Sequence, residues 1–287
     1  MPLLKKNETI NKTYTVKFFI GEGAFGEVYR VNHKFMGFQV IKVLKKKYVE
    51  NSDTKKITQE AIILSKLTHQ NIVRVFETNT FKKNEESFIF ISMEFISGES
   101  ISDLLKRKIH LNLELALKIQ IDYLEGLSYA HKNKIIHRDI NTDNILLSYG
   151  ESEPKALLSD FGLAQDIKQL SNIPNAGGRY LYFAPECFTG IYLFSSDVFS
   201  CGIVFYKMIT GFFPWECHIE NKDSADDIRH KIIVSRKKTY KPASFYDQGV
   251  SKDLDNVISK ALEKNIEKRY NNASEFLKAL KRVKLNT

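Results

Sequence analysis

The residue pattern changes abruptly near residue 97, and this change limits the folds that the chain can adopt. The first 95 residues contain short runs rich in β-branched and aromatic side chains, at 14–20, 28–31, 38–44 and 87–95. One segment among them, at about 54–67, has apolar residues at helical spacing instead. These patterns predict a small, mostly antiparallel sheet with one helix.

After residue 97 the apolar residues recur at helical spacing. The predicted helices lie at about 101–108, 113–131, 195–210, 225–234, 251–263 and 273–282. The sequence therefore predicts an α+β domain, with a β-rich part at about 1–95 and an α-rich part at about 98–287. We expect a hinge between them at about 94–98 and a single domain over 1–287.

Charge and cysteine usage exclude several classes of protein. The formal net charge is +9, from 43 Lys and Arg against 34 Asp and Glu. The basic residues are dispersed in short clusters, so a nucleic-acid interface is the less favoured interpretation. Three cysteines at irregular spacing favour reduced thiols in a cytoplasmic protein. We find no secretory h-region and no apolar run long enough for a membrane span.

Two motifs supply oxygen ligands and a candidate base. The stretch IIHRDINTDNILL, at 135–147, contains Asp139 and, five residues later, Asn144. Asp160-Phe161-Gly162 follows sixteen residues after Asn144. Hard amide and carboxylate oxygens, such as those of Asn144 and Asp160, suit Mg²⁺ bound to a phosphate chain. Asp139 can accept or orient the proton of an attacking hydroxyl.

A glycine-rich segment lies between two of the predicted strands. Gly21, Gly23 and Gly26 form G-x-G-x-x-G, which dinucleotide-binding folds also use. In those folds a helix follows the glycines, whereas here the next residues continue as a strand. Lys42 lies on the next predicted strand, where an ammonium group can reach phosphates, and Glu60 on the predicted helix can hold it. This context favours a hairpin over a nucleotide's phosphates.

In this order, the motifs resemble those of the eukaryotic-type protein kinase domain, and their set is most similar to that of serine/threonine kinases. Ala184-Pro185-Glu186, Ser196-Asp197 and the late Arg269 extend the resemblance over about 14–282. The resemblance implies a bilobal fold that transfers the γ-phosphoryl group of Mg²⁺–ATP to a hydroxyl of a protein substrate. It also implies that Arg269 pairs with Glu186, and that the region around Asp197 anchors the catalytic loop.

The resemblance assigns a role to each matching position. Asp139, Lys42, Glu60, Asn141 and Arg179 stand at catalytic positions, and Asn144 and Asp160 at metal positions. The nucleotide-binding positions are Ile20, Gly21, Gly23, Ala24, Phe25, Gly26, Val28, Val40, Lys42, Met93, Glu94, Ile96 and Leu146. Among these, Val40 roofs the adenine, Leu146 forms its floor, Met93 controls the back pocket, and Glu94 and Ile96 offer backbone groups.

Two positions depart from the family pattern. Asn141 replaces a catalytic-loop Lys, and Arg179 replaces a Thr that normally touches this Lys and the catalytic Asp. We hypothesise that Arg179 supplies the missing positive charge; the alternative is that it binds the peptide substrate or solvent. Ser171 is the only Ser or Thr between 163 and 183, so we expect activity without phosphorylation of this segment. The alternative function is a pseudokinase or scaffold module, which binds nucleotide with little or no phosphoryl transfer.

Overall fold

The computed structural model describes residues 2–23, 26–45, 66–150, 153–161, 177–220 and 222–283. The chain forms two compact units. Met1–His69 and Val73–Ser97 form the first, and Gln70–Ile72 and Gly98–Thr287 form the second. The short stretch Gln70–Ile72 belongs to the second unit because Asn71 accepts a backbone hydrogen bond from Leu158 and Ile72 forms a parallel bridge with the same residue.

A six-stranded antiparallel sheet forms the first unit. Its strands are β1 (Thr9–Ile10), β2 (Tyr14–Glu22), β3 (Gly26–His33), β4 (Gly37–Leu44), β5 (Val75–Lys83) and β6 (Glu86–Glu94). They lie in the order β1-β2-β3-β4-β6-β5. The four predicted runs correspond to β2, β3, β4 and β6 and are confirmed. No run was predicted at the position of β5, and the two-residue β1 is too short to give a pattern. The predicted helix at about 54–67 lies almost entirely outside the described residues.

Cross-strand register gives this sheet two different faces, because opposed residues of an antiparallel pair point to the same side. Tyr29 lies opposite Ile41, and Val43 lies opposite Phe90, so these four side chains share a face. They are buried in a hydrophobic core that Leu4 and other residues near the N-terminus complete. The alternate residues of β3, β4 and β6 therefore face the other side, which carries the candidate site residues of this unit.

The second unit is mainly helical. Its helices are α1 (Ile101–Arg107), α2 (Leu113–Lys132), α3 (Gly177–Tyr180), α4 (Phe194–Thr210), α5 (Ala225–Ser235), α6 (Lys252–Ala261) and α7 (Ala273–Leu280). The six predicted helices are confirmed, although α6 and α7 end two residues early. A three-stranded antiparallel sheet of β7 (Gly98–Ser100), β8 (Ile145–Ser148) and β9 (Lys155–Leu158) was not predicted, because strands this short carry no clear alternation.

Helix α4 is the centre of this unit, and nearly all of its residues are buried. A Cβ added at Gly202 would lie 3.1 Å from the Cβ of Ala261, so glycine at this position lets α6 pack closely. Helices α2, α5, α6 and α7 begin at Asn or Ser residues whose side chains accept a backbone N–H of the first turn. Within the described residues, no helix has the length and apolar character needed to cross a bilayer.

Candidate active site

Four of the predicted nucleotide-binding side chains share one face of the first unit's sheet. Val28 lies opposite Lys42, and Val40 lies opposite Met93. Val40 and Lys42 are two residues apart on β4, so they point the same way. Lys42 is only 5% exposed. The sheet thus presents one ammonium group among apolar side chains, on the face opposite the hydrophobic core.

Glycine is needed at the three glycine positions of the β2–β3 hairpin for different structural reasons. A Cβ at Gly26 would lie 2.1 Å from the carbonyl oxygen of Val43, so the packing of β3 on β4 requires glycine there. At Gly21 no described atom lies within 4 Å of such a Cβ, and at Gly23 the nearest is 3.8 Å away. Their backbone is therefore open to the approach of a ligand. Ala24 and Phe25 lie outside the described residues, and Ile20 is exposed.

The end of β6 and the residues after it carry the predicted adenine contacts. The backbone N–H of Glu94 donates to the carbonyl oxygen of Arg74, 2.9 Å away. Because this bond uses the N–H of Glu94, the backbone group of Glu94 that we predict to contact the adenine is its carbonyl oxygen. Ile96 lies two residues further on, within the same unit. Glu60, the predicted partner of Lys42, lies outside the described residues.

In the second unit, Asp197 at the start of α4 holds the catalytic loop. Its two carboxylate oxygens accept the backbone N–H groups of His137 and Arg138, at 2.8 and 2.9 Å. Arg138 has a φ of 69°, which a residue with a side chain rarely adopts. Asp197 offsets the cost of this conformation and also binds the ring of His131 at 2.9 Å. The prediction that the region around Asp197 anchors the loop is confirmed.

His137 is a buried, neutral part of this framework. Its Nδ1 accepts the N–H of Asp139, so Nε2 carries the proton and donates to the carbonyl oxygen of Ser159 at 3.0 Å. Burial lowers the pKa of His137, which agrees with a neutral ring. The ring of Phe161 lies 4.4 Å from that of His137, centroid to centroid. His137 therefore links the catalytic loop to the Asp160-Phe161 segment.

Three side chains converge on the carboxylate of Asp139, which is 5% exposed. The amide nitrogen of Asn141 donates to its Oδ1 at 2.9 Å, and that of Asn144 donates to its Oδ2 at 2.8 Å. Nη1 of Arg179 lies 3.0 Å from the same Oδ2. The two positions that depart from the family pattern, Asn141 and Arg179, thus bind one carboxylate through different oxygens.

Asn141 is held entirely within the loop. Its Oδ1 accepts the N–H groups of Asp143 and Asn144, which caps the short 3₁₀ helix Thr142–Asn144. Its Nδ2 donates to the backbone and side chain of Asp139. Because Asn141 is 1% exposed, its amide orients Asp139 and points away from solvent.

The two predicted metal ligands lie at the same end of neighbouring strands. Ile145, the first residue of β8, is paired with Leu158, the last residue of β9. Asn144, just before β8, and Ser159, just after β9, therefore lie side by side. The N–H of Ser159 donates to the carbonyl oxygen of Asn144 at 2.9 Å, and Asp160 follows directly. Asn144 uses its amide nitrogen to bind Asp139, which leaves the amide oxygen as its ligand atom. Leu146, the predicted floor of the adenine site, is the second residue of β8.

Glu186 and Arg269 form a buried ion pair. Nη1 of Arg269 lies 2.7 Å from Oε1 of Glu186, and Nη2 lies 3.2 Å from Oε2. Burial alone would raise the pKa of Glu186, but the hydrogen bonds from Arg269 and Ser196 outweigh it and the pKa is lowered. The predicted pairing of Glu186 with Arg269 is confirmed.

One further contact with the catalytic loop could not be predicted from sequence. The hydroxyl groups of Thr142 and Tyr182 are 2.9 Å apart, and Ser200 of α4 donates to the carbonyl oxygen of Tyr182. Burial raises the pKa of Tyr182. Residues 142 and 182 are forty positions apart, and no pattern in a single sequence pairs them.

Comparison with known proteins assigns the family. The family model described as "protein kinase domain" matches residues 14–280. The chain belongs to the protein kinase domain family. The predicted α+β protein-kinase fold is thereby confirmed, and the predicted enzyme class is the one that gives this family its name.

Curated relatives of this kinase domain include bacterial and protozoan enzymes. A probable serine/threonine-protein kinase of Clostridium perfringens is 31% identical over 280 residues, covering 96% of this chain and 39% of that protein. The serine/threonine-protein kinase pkn3 of Myxococcus xanthus is 30% identical, over 96% of this chain and 51% of that protein. Calcium-dependent protein kinase 4 of Plasmodium falciparum is 30% identical, over 82% and 44%. The chain spans about two fifths to one half of the length of these relatives.

Solved structures match the fold of the kinase domain along nearly its whole length. The PknI kinase domain of Mycobacterium tuberculosis has a TM-score of 0.73 and 24% sequence identity, covering 97% of this chain and 98% of that one. At this identity the match is evidence for the fold alone. Both units, the antiparallel sheet and the mainly helical part, belong to this fold.

Proposed function

We propose that this kinase domain transfers the γ-phosphoryl group of Mg²⁺–ATP to serine or threonine hydroxyl groups of a protein substrate. The observation that carries the proposal is the buried carboxylate of Asp139, oriented by Asn141 on one oxygen and by Asn144 on the other. A fixed carboxylate can select and orient an attacking hydroxyl. The names of the bacterial relatives support serine and threonine as acceptors.

Residues of the first unit fit a nucleotide. The open backbone at Gly21 and Gly23 suits phosphates, because no Cβ keeps them at a distance. Lys42 supplies a positive charge for the α- and β-phosphates, and Glu60 is the proposed residue that holds it. Val28, Val40 and the other nucleotide-binding positions of this unit supply apolar surface and backbone groups for the base.

Asn144 and Asp160 fit Mg²⁺. Their donor atoms are an amide oxygen and a carboxylate, the hard ligands that this ion prefers. Among the described residues, no cluster of three or more His, Cys, Asp or Glu side chains could hold a metal by itself. Water and the phosphate chain of the substrate would complete the coordination of Mg²⁺. When bound, Mg²⁺ neutralises negative charge on that chain.

In the proposed reaction, the substrate hydroxyl attacks the γ-phosphorus while the bond from this phosphorus to the bridging oxygen breaks. Asp139 accepts the hydroxyl proton, and the electron pair leaves with ADP. Most of the rate enhancement in such a transfer comes from positioning the reacting groups and neutralising charge. The buried groups around Asp139 supply both.

The contact between Arg179 and Asp139 supports the hypothesis of charge compensation. A Lys at position 141 would carry a positive charge beside Asp139, whereas Asn141 carries none and is turned toward that carboxylate. The guanidinium of Arg179 lies beside the same carboxylate, at 3.0 Å, and has further donors in a planar fork. We infer that the positive charge of Arg179 also acts on the transferred phosphoryl group. Arg179 thereby supplies the positive charge that a Lys at position 141 would supply.

The test is transfer from γ-labelled ATP to casein and to the protein itself, followed by phosphoamino-acid analysis. We expect label on Ser and Thr from the wild type, and none from Asp160→Asn. Asp226→Asn, an exposed carboxylate on α5, is the matched control and should behave as wild type. Label on Tyr would overturn the specificity. No label from the wild type with intact nucleotide binding would favour the pseudokinase.

A further inference from the structure

Arg236, which caps the C-terminus of α5, is a buried cation with unusual partners. It is 5% exposed, and its guanidinium carbon lies 5.1–5.8 Å from the ring centroids of Phe188, Phe199 and Trp215. Its Nη1 donates to the carbonyl oxygen of Phe183 at 2.5 Å, and its Nη2 donates to that of Leu181 at 2.9 Å. In the described part of the chain its partners are thus carbonyl oxygens and aromatic rings, whereas Arg269 has a carboxylate.

A buried guanidinium without a carboxylate partner is costly, because desolvation is only partly offset by neutral acceptors. Burial lowers the pKa of Arg236 to about 10, which still leaves the group charged at neutral pH. An apolar side chain of similar length would fill the same aromatic pocket without this cost. What it could not do is bind the two carbonyl oxygens, so these bonds are the distinctive contribution of Arg236.

The two carbonyl oxygens flank Tyr182, in the segment that contacts the catalytic loop. Tyr182 binds the hydroxyl of Thr142, and Arg179, two residues before Leu181, binds Asp139. Two parallel bonds from one planar group fix both the position and the rotation of this short stretch.

We propose that Arg236 is a positioning residue of the active site, which holds residues 181–183 so that Tyr182 and Arg179 lie against the catalytic loop. This role of Arg236 rests on the proposed function wherever it is tested by kinase activity. A displacement of about 1 Å at such a contact can lower the rate about 100-fold. Lys at this position keeps the charge but has one ammonium group, which cannot reproduce the fork.

The test compares Arg236→Met and Arg236→Lys with Arg229→Met, an exposed arginine of the same helix. We expect kcat for casein to fall about 100-fold in Arg236→Met and less in Arg236→Lys, with the Kd for ATP and the Tm close to wild type. The double variant with Arg179→Ala should lose less than the product of the single losses, because both changes act through one contact. Unchanged kcat, or fully multiplicative losses, would overturn the proposal.

Hydrogen exchange supplies a readout that does not need activity. The amides of residues 180–184 should exchange faster in Arg236→Lys than in wild type or Arg229→Met, whereas those of His137 and Arg138, which Asp197 holds, should change less. Equal exchange at 180–184 would overturn the positioning role even if the wild type were active. If the wild type transferred no phosphate, the proposed function would fail, while this measurement would still decide the role of Arg236. If neither Arg236 variant folds, the residue serves stability and the proposal is wrong.

Discussion

Replacement of Arg179 by Ala tests how negative charge is neutralised in this active site. The change removes a cation whose Nη1 lies 3.0 Å from Oδ2 of Asp139. The two side chains are 20% and 6% exposed, so solvent screens this charge only partly. One preorganised group that stabilises transition-state charge contributes about 10²–10³-fold in kcat, or about 2.7–4 kcal/mol. We expect kcat to fall by this factor.

The assay is steady-state transfer to casein, with kcat and the KM for ATP measured separately. The KM for ATP should change less than kcat, because the lost interaction strengthens in the transition state. Arg179→Lys should keep part of the rate, and the exposed Arg229→Ala should keep all of it. Adding Asn141→Lys to Arg179→Ala should recover at least part of the loss, since it restores a charge beside Asp139.

Two results would refute this reasoning. An unchanged kcat in Arg179→Ala would show that the guanidinium is not used in catalysis. An increased kcat would mean that Arg179 restrains Asp139 and has to be displaced by the substrate.

Three other perturbations have expected outcomes. Arg269→Met should lower the free energy of unfolding by about 3–5 kcal/mol in urea, because it leaves Glu186 buried without its partner; a loss below about 1 kcal/mol would contradict this. The pKa of His137 is lowered from 6.5, so as the pH falls the unfolded chain binds a proton before the folded chain does, and the free energy of unfolding should decline below about pH 6.5. His137→Gln should reduce this decline; a pH profile identical to that of the wild type would contradict the argument. Gly26→Ala should lower the Tm, because its Cβ would meet backbone 2.1 Å away, whereas Gly21→Ala should leave the Tm unchanged; equal Tm losses would contradict this packing argument.

Elements with a strong pattern could be predicted from sequence. The β-branched runs gave four strands of the first unit, and helical spacing gave six helices of the second. The three-residue β7 and the four-residue β8 and β9 could not be found, because their pairing depends on contacts between distant segments. The pair of Glu186 and Arg269 was predicted only through the family resemblance.

The chemistry of the site was predictable by residue type, but its connections were not. Asn141 was recognised as a departure from the family, yet the sequence could not show that its amide is turned inward to Asp139. Tyr182 and Arg236 were missed because hydroxyl and guanidinium groups occur throughout the chain. Only their three-dimensional neighbours, Thr142 and two carbonyl oxygens, distinguish them.

The arrangement around Asp139 also has a stereochemical consequence. A carboxylate can accept about four hydrogen bonds, two on each oxygen. Among the described residues, Oδ2 faces both Asn144 and Arg179, whereas Oδ1 faces Asn141. In the proposed reaction, Oδ1 is therefore the less crowded acceptor for the incoming hydroxyl, on the side away from Asn141. On this proposal, the hydrogen bonds around Asp139 set the direction from which an acceptor side chain approaches before any substrate is bound.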